Sequence, residues 1–271
     1  MSDSPWIAAL MALFLWWFST GIILWRVRVA DNGSAQDHIN SVVIGLPLLV
    51  IGLFAARSSL NDLSSYGIYL GFFAAIAIWG WIELAFLSGV ITGPNTDPCP
   101  PFASTRDRFW RAVGTVAWHE LALIAALLML GTASMNADNP FAFATFGLLF
   151  FARISAKLNL FFGVPRINTQ FLPKPLAHLP SHFRYGRITA MFPISVSALT
   201  VASALLLERA INVTAPGMMI GYALLTCLCL LALLEHWFMV LPLPDEKLWR
   251  WMMPARKTQS SDRLHEDANG L

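Results

Sequence analysis

Seven ionisable side chains fall inside long apolar stretches of this 271-residue chain: Glu83, His119, Glu120, Arg153, Lys157, Glu235 and His236. On insertion scales a charge near the middle of a bilayer costs about 2.5 to 3.5 kcal/mol, so five unpaired charges would cost roughly 12 to 17 kcal/mol. Such groups must pair, lose their charge or bind something. Three carboxylates against Arg153 and Lys157 leave one negative charge, which a protonated imidazole or a cationic ligand could cancel. Arg153 and Lys157 are four residues apart and share one helix face. His119 and Glu120, like Glu235 and His236, are adjacent and diverge by about 100° around a helix. Each adjacent pair can therefore offer one member to a central site and the other to a neighbouring helix.

Four readings of this polar layer stand side by side. It can be an interhelical ion-pair network that fixes packing. A neutral imidazole of His119 or His236 can ligate the magnesium or iron of a tetrapyrrole, flanked by the abundant Trp and Phe. A metalloenzyme built from Glu and His ligands is a third reading, weakened because no His-x-x-x-His or Glu-x-x-His occurs within a span. A proton or ion path is the fourth, weakened because the layer occupies one leaflet only. Outside the layer, His178 and His182 are four apart, but Pro180 between them argues against helical presentation to a metal. No nucleophile-elbow constellation or phosphate-cradling loop occurs, so recognisable catalysis is absent.

These residues are positioned by seven apolar runs, near 6–25, 39–56, 66–89, 110–134, 140–163, 188–210 and 216–241. Each is long enough to cross a hydrocarbon core of roughly 30 Å as a tilted helix. Apolar residues make up 56% and charged residues only 13% of the chain, against about 25% charged in a soluble domain. Numbering the connections alternately places fourteen of the eighteen Lys and Arg residues on one side, including Arg26, Arg28, Arg106, Arg108, Arg111, Arg166, Lys174, Arg184 and Arg187. The other side receives only Arg57 and Arg209. The excess of cations predicts an all-α, polytopic bundle with a periplasmic N-terminus and a cytoplasmic C-terminus. The cations mark an anionic inner membrane surface, and nucleic acid is not implied. Counted from the inner ends, Glu83 lies about 9 Å deep, Glu235 about 10 Å, His119 about 14 Å and Arg153 about 15 Å.

The membrane domain is expected over 1–254, with a polar, disordered tail over 255–271. The Pro-rich inward segments 90–109 and 164–187 should not be simple helices. The segment from Phe161 to Arg187 mixes rings and cations and is expected along the inner interface, or alternatively as a solvated loop. A second interfacial anchor is expected at Trp249 and Trp251. Asn139 before Pro140 and Ala215 before Pro216 punctuate the starts of spans five and seven. Gly67 with Gly71 and Gly217 with Gly221 suggest a close contact between spans three and seven, unless the two pairs are unrelated. Cys99, Cys227 and Cys229 suggest neither a disulfide framework nor a tetrathiolate zinc site. No internal repeat of the kind that builds secondary transporters is visible.

The stretch Asn159-Leu160-Phe161-Phe162-Gly163-Val164-Pro165-Arg166-Ile167-Asn168, then Phe171-Leu172-Pro173 and His178-Leu179-Pro180-Ser181-His182-Phe183, resembles the PuhE family of photosynthetic complex assembly proteins. Trp118-His119-Glu120 and Leu234-Glu235-His236-Trp237, with Leu241-Pro242-Leu243-Pro244 after it, are similar too, and the likeness covers roughly 6–253. The resemblance implies a multi-pass protein of the cytoplasmic or intracytoplasmic membrane of anoxygenic phototrophic bacteria. It implies help in assembling the reaction centre and light-harvesting complex, with their subunits, other assembly factors and membrane lipid as partners. Bacteriochlorophyll, or a precursor whose supply the protein influences, is the implied cofactor. The family contributes no catalytic residues. A membrane enzyme acting on a tetrapyrrole or isoprenoid is the competing expectation.

Overall fold

The computed structural model describes residues 3–242 and Lys247. Seven helices account for most of it: α1 (Pro5–Asp31), α2 (Ala35–Ser59), α3 (Ser65–Leu87), α4 (Thr105–Ser134), α5 (Phe141–Phe162), α6 (Met191–Asn212) and α7 (Pro216–Phe238). All seven are long and apolar enough to cross a membrane, with mean hydropathy between 1.5 and 2.3 over their most apolar stretches. The protein is therefore an all-helical, multi-pass membrane bundle. The anchor expected at Trp249 and Trp251 and the tail over 255–271 lie outside the described residues.

Local chemistry sets the helix starts. Pro5 and Pro216 occupy first-turn positions, where a missing N–H costs nothing. At α2 the Asp37 carboxylate accepts from the Ser34 N–H at 2.7 Å and hydroxyl at 3.0 Å, and Ser64 and Ser104 cap α3 and α4. Gly89 (φ +76°) closes α3 in a Schellman turn, in which the Val90 N–H reaches back to the Ala85 carbonyl at 3.0 Å.

The helices sort by burial. In α3, 72% of the most apolar stretch is buried, and 56% in α7, against 17 to 28% in the others. α3 and α7 form the centre, packed through Ile68, Phe72, Ile220, Leu224 and Leu228. α1 and α5 flank them, and α2, α4 and α6 are peripheral. Their outward faces carry exposed Ile44, Phe54, Leu128 and Leu205, which hydrocarbon would cover.

The glycine pairs act differently from expectation. α3 and α7 do touch, but their glycines do not meet each other. Gly71 admits the start of α5 at Ala142, Gly221 admits the Phe141 ring, and Gly217 sits on the turn at Leu63 and Ser64. A four-residue spacing fixes which glycines share a face without fixing which neighbour that face receives.

Candidate functional site

The ends of the bundle with long connections fold inward. After Gly89, the segment Thr92–Asn95 lies against the backbone of α4. The Thr92 carbonyl accepts the His119 N–H at 3.0 Å, and Asn95 reaches the Gly114 and Arg111 carbonyls at 3.1 and 3.0 Å. Gly93 packs so closely on Gly114 and Thr115 that no side chain fits. Irregular backbone at this depth is tolerated because it is buried in protein and satisfied by a helix.

The segment after α5 forms a cap. Gly163 turns the chain at φ +130°, a single parallel bridge joins Val164 to Tyr185, and short 3-10 turns span Lys174–Leu176 and Leu179–His182. Val164 and Leu176 are fully buried, and Leu176 and Leu179 pack on Phe86. Arg108 holds this cap, donating to the His182 and Phe161 carbonyls at 3.1 and 2.9 Å while its guanidinium lies 3.9 Å from the Phe161 ring centre. The segment thus packs over the end of the bundle through its buried residues, while Phe162 and Tyr185 of the expected interfacial set stay exposed. Asp31 and His38 pair at 3.3 Å, and Asp31 also accepts the Lys174 N–H at 3.0 Å, tying the cap to the α1–α2 turn. Sequence reasoning passed over both residues. The available signal was a lone acid closing the basic end of α1.

Above the cap sits the polar layer. Arg153 on α5 donates to Glu83 on α3 at 2.9 Å, and Lys157, one turn further along α5, pairs with Glu120 on α4. The shared face of Arg153 and Lys157 therefore ties two different neighbours. Lys157 also lies 5.5 Å from the centre of the Phe86 ring. His119, fully buried, stacks on Phe86 at 4.3 Å, with its Nε2 3.7 Å from Glu83. Neither of its ring nitrogens has a hydrogen-bond partner. His236 is buried against α5: one nitrogen bonds the Ala232 carbonyl at 2.8 Å and the other the Ser155 hydroxyl at 2.9 Å. Glu235 accepts the indole N–H of Trp16 on α1 at 3.0 Å, and among the described residues no cation lies within ion-pair distance of it. It is the uncompensated carboxylate of the sequence reckoning.

Two cavities meet at this layer. A chamber of about 880 Å³ lies between the cap and the adjoining ends of α3, α4, α5 and α7. A narrower one of about 340 Å³ runs toward the bundle centre between α1, α3, α5 and α7. Arg153, Ala156 and Glu235 line both. Glu235 is surrounded by protein yet keeps accessible surface, because that surface faces the cavities.

The adjacent pairs divide unequally. Glu235 faces the cavities and His236 the neighbouring helix, as the 100° divergence allows, whereas His119 and Glu120 both turn to neighbours. Neither imidazole borders either cavity. A metal tetrapyrrole ligated by His119 or His236 would need those rings to turn, His236 giving up Ser155 and His119 leaving Phe86. Among the described residues, the imidazole that does line the chamber is that of His182 in the cap. His178 and His182 fall in the 3-10 region of the cap, and His182 is buried beside the Asp97 carbonyl at 3.4 Å. Burial, with His178, Arg108 and Arg111 adding repulsion, pushes the pKa of the His182 imidazole below its ordinary value. Among the described residues no group of three His, Cys, Asp or Glu side chains is placed to hold a metal ion.

The chain is 57% identical over 253 residues to a protein of Rhodobacter capsulatus described as an uncharacterized 30.4 kDa protein in the puhA 5′ region, covering 93% of this chain and 92% of that one. No solved structure matches. The match to a protein family runs over residues 1–260, from the first helix to beyond the last, and so includes the layer, both cavities and the cap. The chain belongs to the family described as protein of unknown function DUF3623.

Proposed function

We propose that the chain is an assembly factor for the photosynthetic reaction centre and its light-harvesting complex, working in the bacterial cytoplasmic or intracytoplasmic membrane with its basic end inward. The observation that carries this reading is the near full-length likeness to the Rhodobacter capsulatus protein of the puhA 5′ region, a photosynthesis gene-cluster setting. The geometry supports holding over turnover. Glu83 and Glu120 are spent on Arg153 and Lys157 of a neighbouring helix, which stiffens the bundle around a preformed chamber. Broad apolar faces on α2, α4 and α6 are suited to the transmembrane helices of complex subunits or other assembly factors. Assistance with bacteriochlorophyll, or a precursor, belongs to the same role, with the chamber as its place in the molecule.

Disrupting the gene in a phototrophic host tests this. The expected result is membranes with reduced reaction-centre and light-harvesting absorption, restored by the intact gene, and those subunits recovered with the affinity-purified chain. Unchanged absorption would overturn the proposal. Accumulation of one chemically distinct pigment precursor would overturn it in favour of an enzyme.

A further inference from the structure

We infer that the paired cavities are a binding site for an anionic amphiphile: a long apolar chain carrying a carboxylate or phosphate head. The inference stands apart from the identity of any complex the protein serves. The chamber is within the roughly 300 to 1,000 Å³ typical of preformed ligand sites, and its walls are mostly aliphatic and aromatic with a few placed charges. Those charges are one-sided. Arg153, Lys157 and Arg166 line it, against Glu235 alone. The acids that pair with Arg153 and Lys157, Glu83 and Glu120, do not border the chamber, so they neutralise the cations from behind and leave the donors facing inward. Arg153 uses one terminal nitrogen on Glu83, and its side chain keeps 38% of its surface accessible. An oxyanion accepting from these donors would complete them with charge-assisted bonds.

The narrow arm has the opposite character. Glu83 and Glu235 line it against Arg153 alone among the described residues, together with Ile76, Leu148, Leu149 and Leu228. With Glu83 neutralised by Arg153, the remaining carboxylate, Glu235, repels an anionic head from the arm but not a hydrocarbon chain. The head therefore belongs in the wide chamber, and the end of the chain in the arm. The bundle centre would otherwise enclose an apolar void, which forfeits the dispersion contacts that a chain supplies.

The full-length protein, reconstituted in phosphatidylcholine nanodiscs, would be labelled with a palmitate carrying a diazirine near its methyl end, and the modified residues mapped. Labelling is expected in the arm, around Trp79 on α3 and Leu228 on α7. Excess unlabelled palmitate or dioleoyl phosphatidic acid should suppress it, and whichever does so at lower concentration assigns the carboxylate or the phosphate head. Monoolein, uncharged, and inorganic phosphate, lacking a tail, should not suppress it; equal competition by either would overturn the inference, as would labels confined to the outward faces of α2 and α6. Gly80→Leu should fill the arm without disturbing the fold, since a Cβ there meets only Ile23 at 3.6 Å, and should cut labelling about tenfold, equivalent to about 1.4 kcal/mol. Arg166→Gln removes a chamber cation not engaged in the layer's ion pairs and should weaken labelling about threefold. Full labelling in both variants, each accumulating normally, would overturn the site.

Discussion

The two ends of the bundle solve the same problem in opposite ways. Where α2 meets α3 and α4 meets α5, one buried residue does the joining. The backbone N–H of Asn139 donates to the Leu60 carbonyl at 2.8 Å, its amide donates to the Asp62 and Gly67 carbonyls at 3.0 and 3.1 Å, and its side-chain oxygen accepts from the Phe141 N–H at 3.0 Å. Every donor and acceptor of its side chain and its N–H is used, and the connections there are short. At the basic end, long connections fold into the bundle, two cavities open, and polar atoms of His119, Glu83, Glu120 and Arg153 lack hydrogen-bond partners. Burying an unpartnered polar atom costs about 1 to 3 kcal/mol, a cost that the Asn139 joint avoids and the polar layer bears. One end closes the bundle; the other equips it.

Breaking the equipped end should cost most. Arg153→Leu leaves the Glu83 carboxylate buried without its partner, and should destabilise by about 3 kcal/mol, the low end for a broken buried pair because Arg153 keeps accessible surface. Membrane accumulation and heat-induced aggregation in mild detergent would register it as loss of most of the protein. At the closing end, Asn139→Ala removes the side-chain partners of the Asp62 carbonyl and the Phe141 N–H and should cost about 2 kcal/mol. Its heat stability should fall while palmitate labelling of the arm persists; loss of labelling would show that the ends are not independent.

The smallest effect concerns pH at the cap. His182 is held neutral by burial and by His178, Arg108 and Arg111, so its folded pKa lies below the ordinary 6.5. The unfolded chain binds the proton more readily between those two values, so the cap's stability is complete above about pH 6.5 and declines as pH falls below it. Hydrogen exchange over 163–190 should speed up at pH 5.5 relative to pH 7.5 in the wild type. In His182→Leu this difference should shrink, and no shrinkage would assign the effect elsewhere.

Much of this was legible in the residues. Run length alone marked seven helices, because a chain in hydrocarbon must satisfy its own backbone. The ends were less legible. α1 continues through Arg26 and Arg28 to Asp31, since long cationic side chains reach the interface without ending a helix, and α7 stops at Phe238, with its turn before Pro242. The excess of one carboxylate over the cations foretold a residue such as Glu235. The pairings were not legible, because helical periodicity fixes an angle about one helix and not the rotation of its neighbours. Trp16, which satisfies Glu235, looked like any membrane Trp, although an indole N–H far from the ends of a span needs a partner. The Gly93 insertion and the Asn139 hub are tertiary events between segments distant in sequence; Gly93 left no mark, and Asn139 was legible only as the residue before the Pro140 helix start.

The central claim is that the layer is held by specific charge pairs across helices. Exchanging the charges of one pair tests it most directly, by measuring membrane accumulation and heat stability of Glu120→Lys, Lys157→Glu and the double variant. Each single change places like charges together on α4 and α5 and should lose most of the protein, and the double change should restore most of it. A double variant no better than the worse single, or single variants indistinguishable from the wild type, would contradict the account.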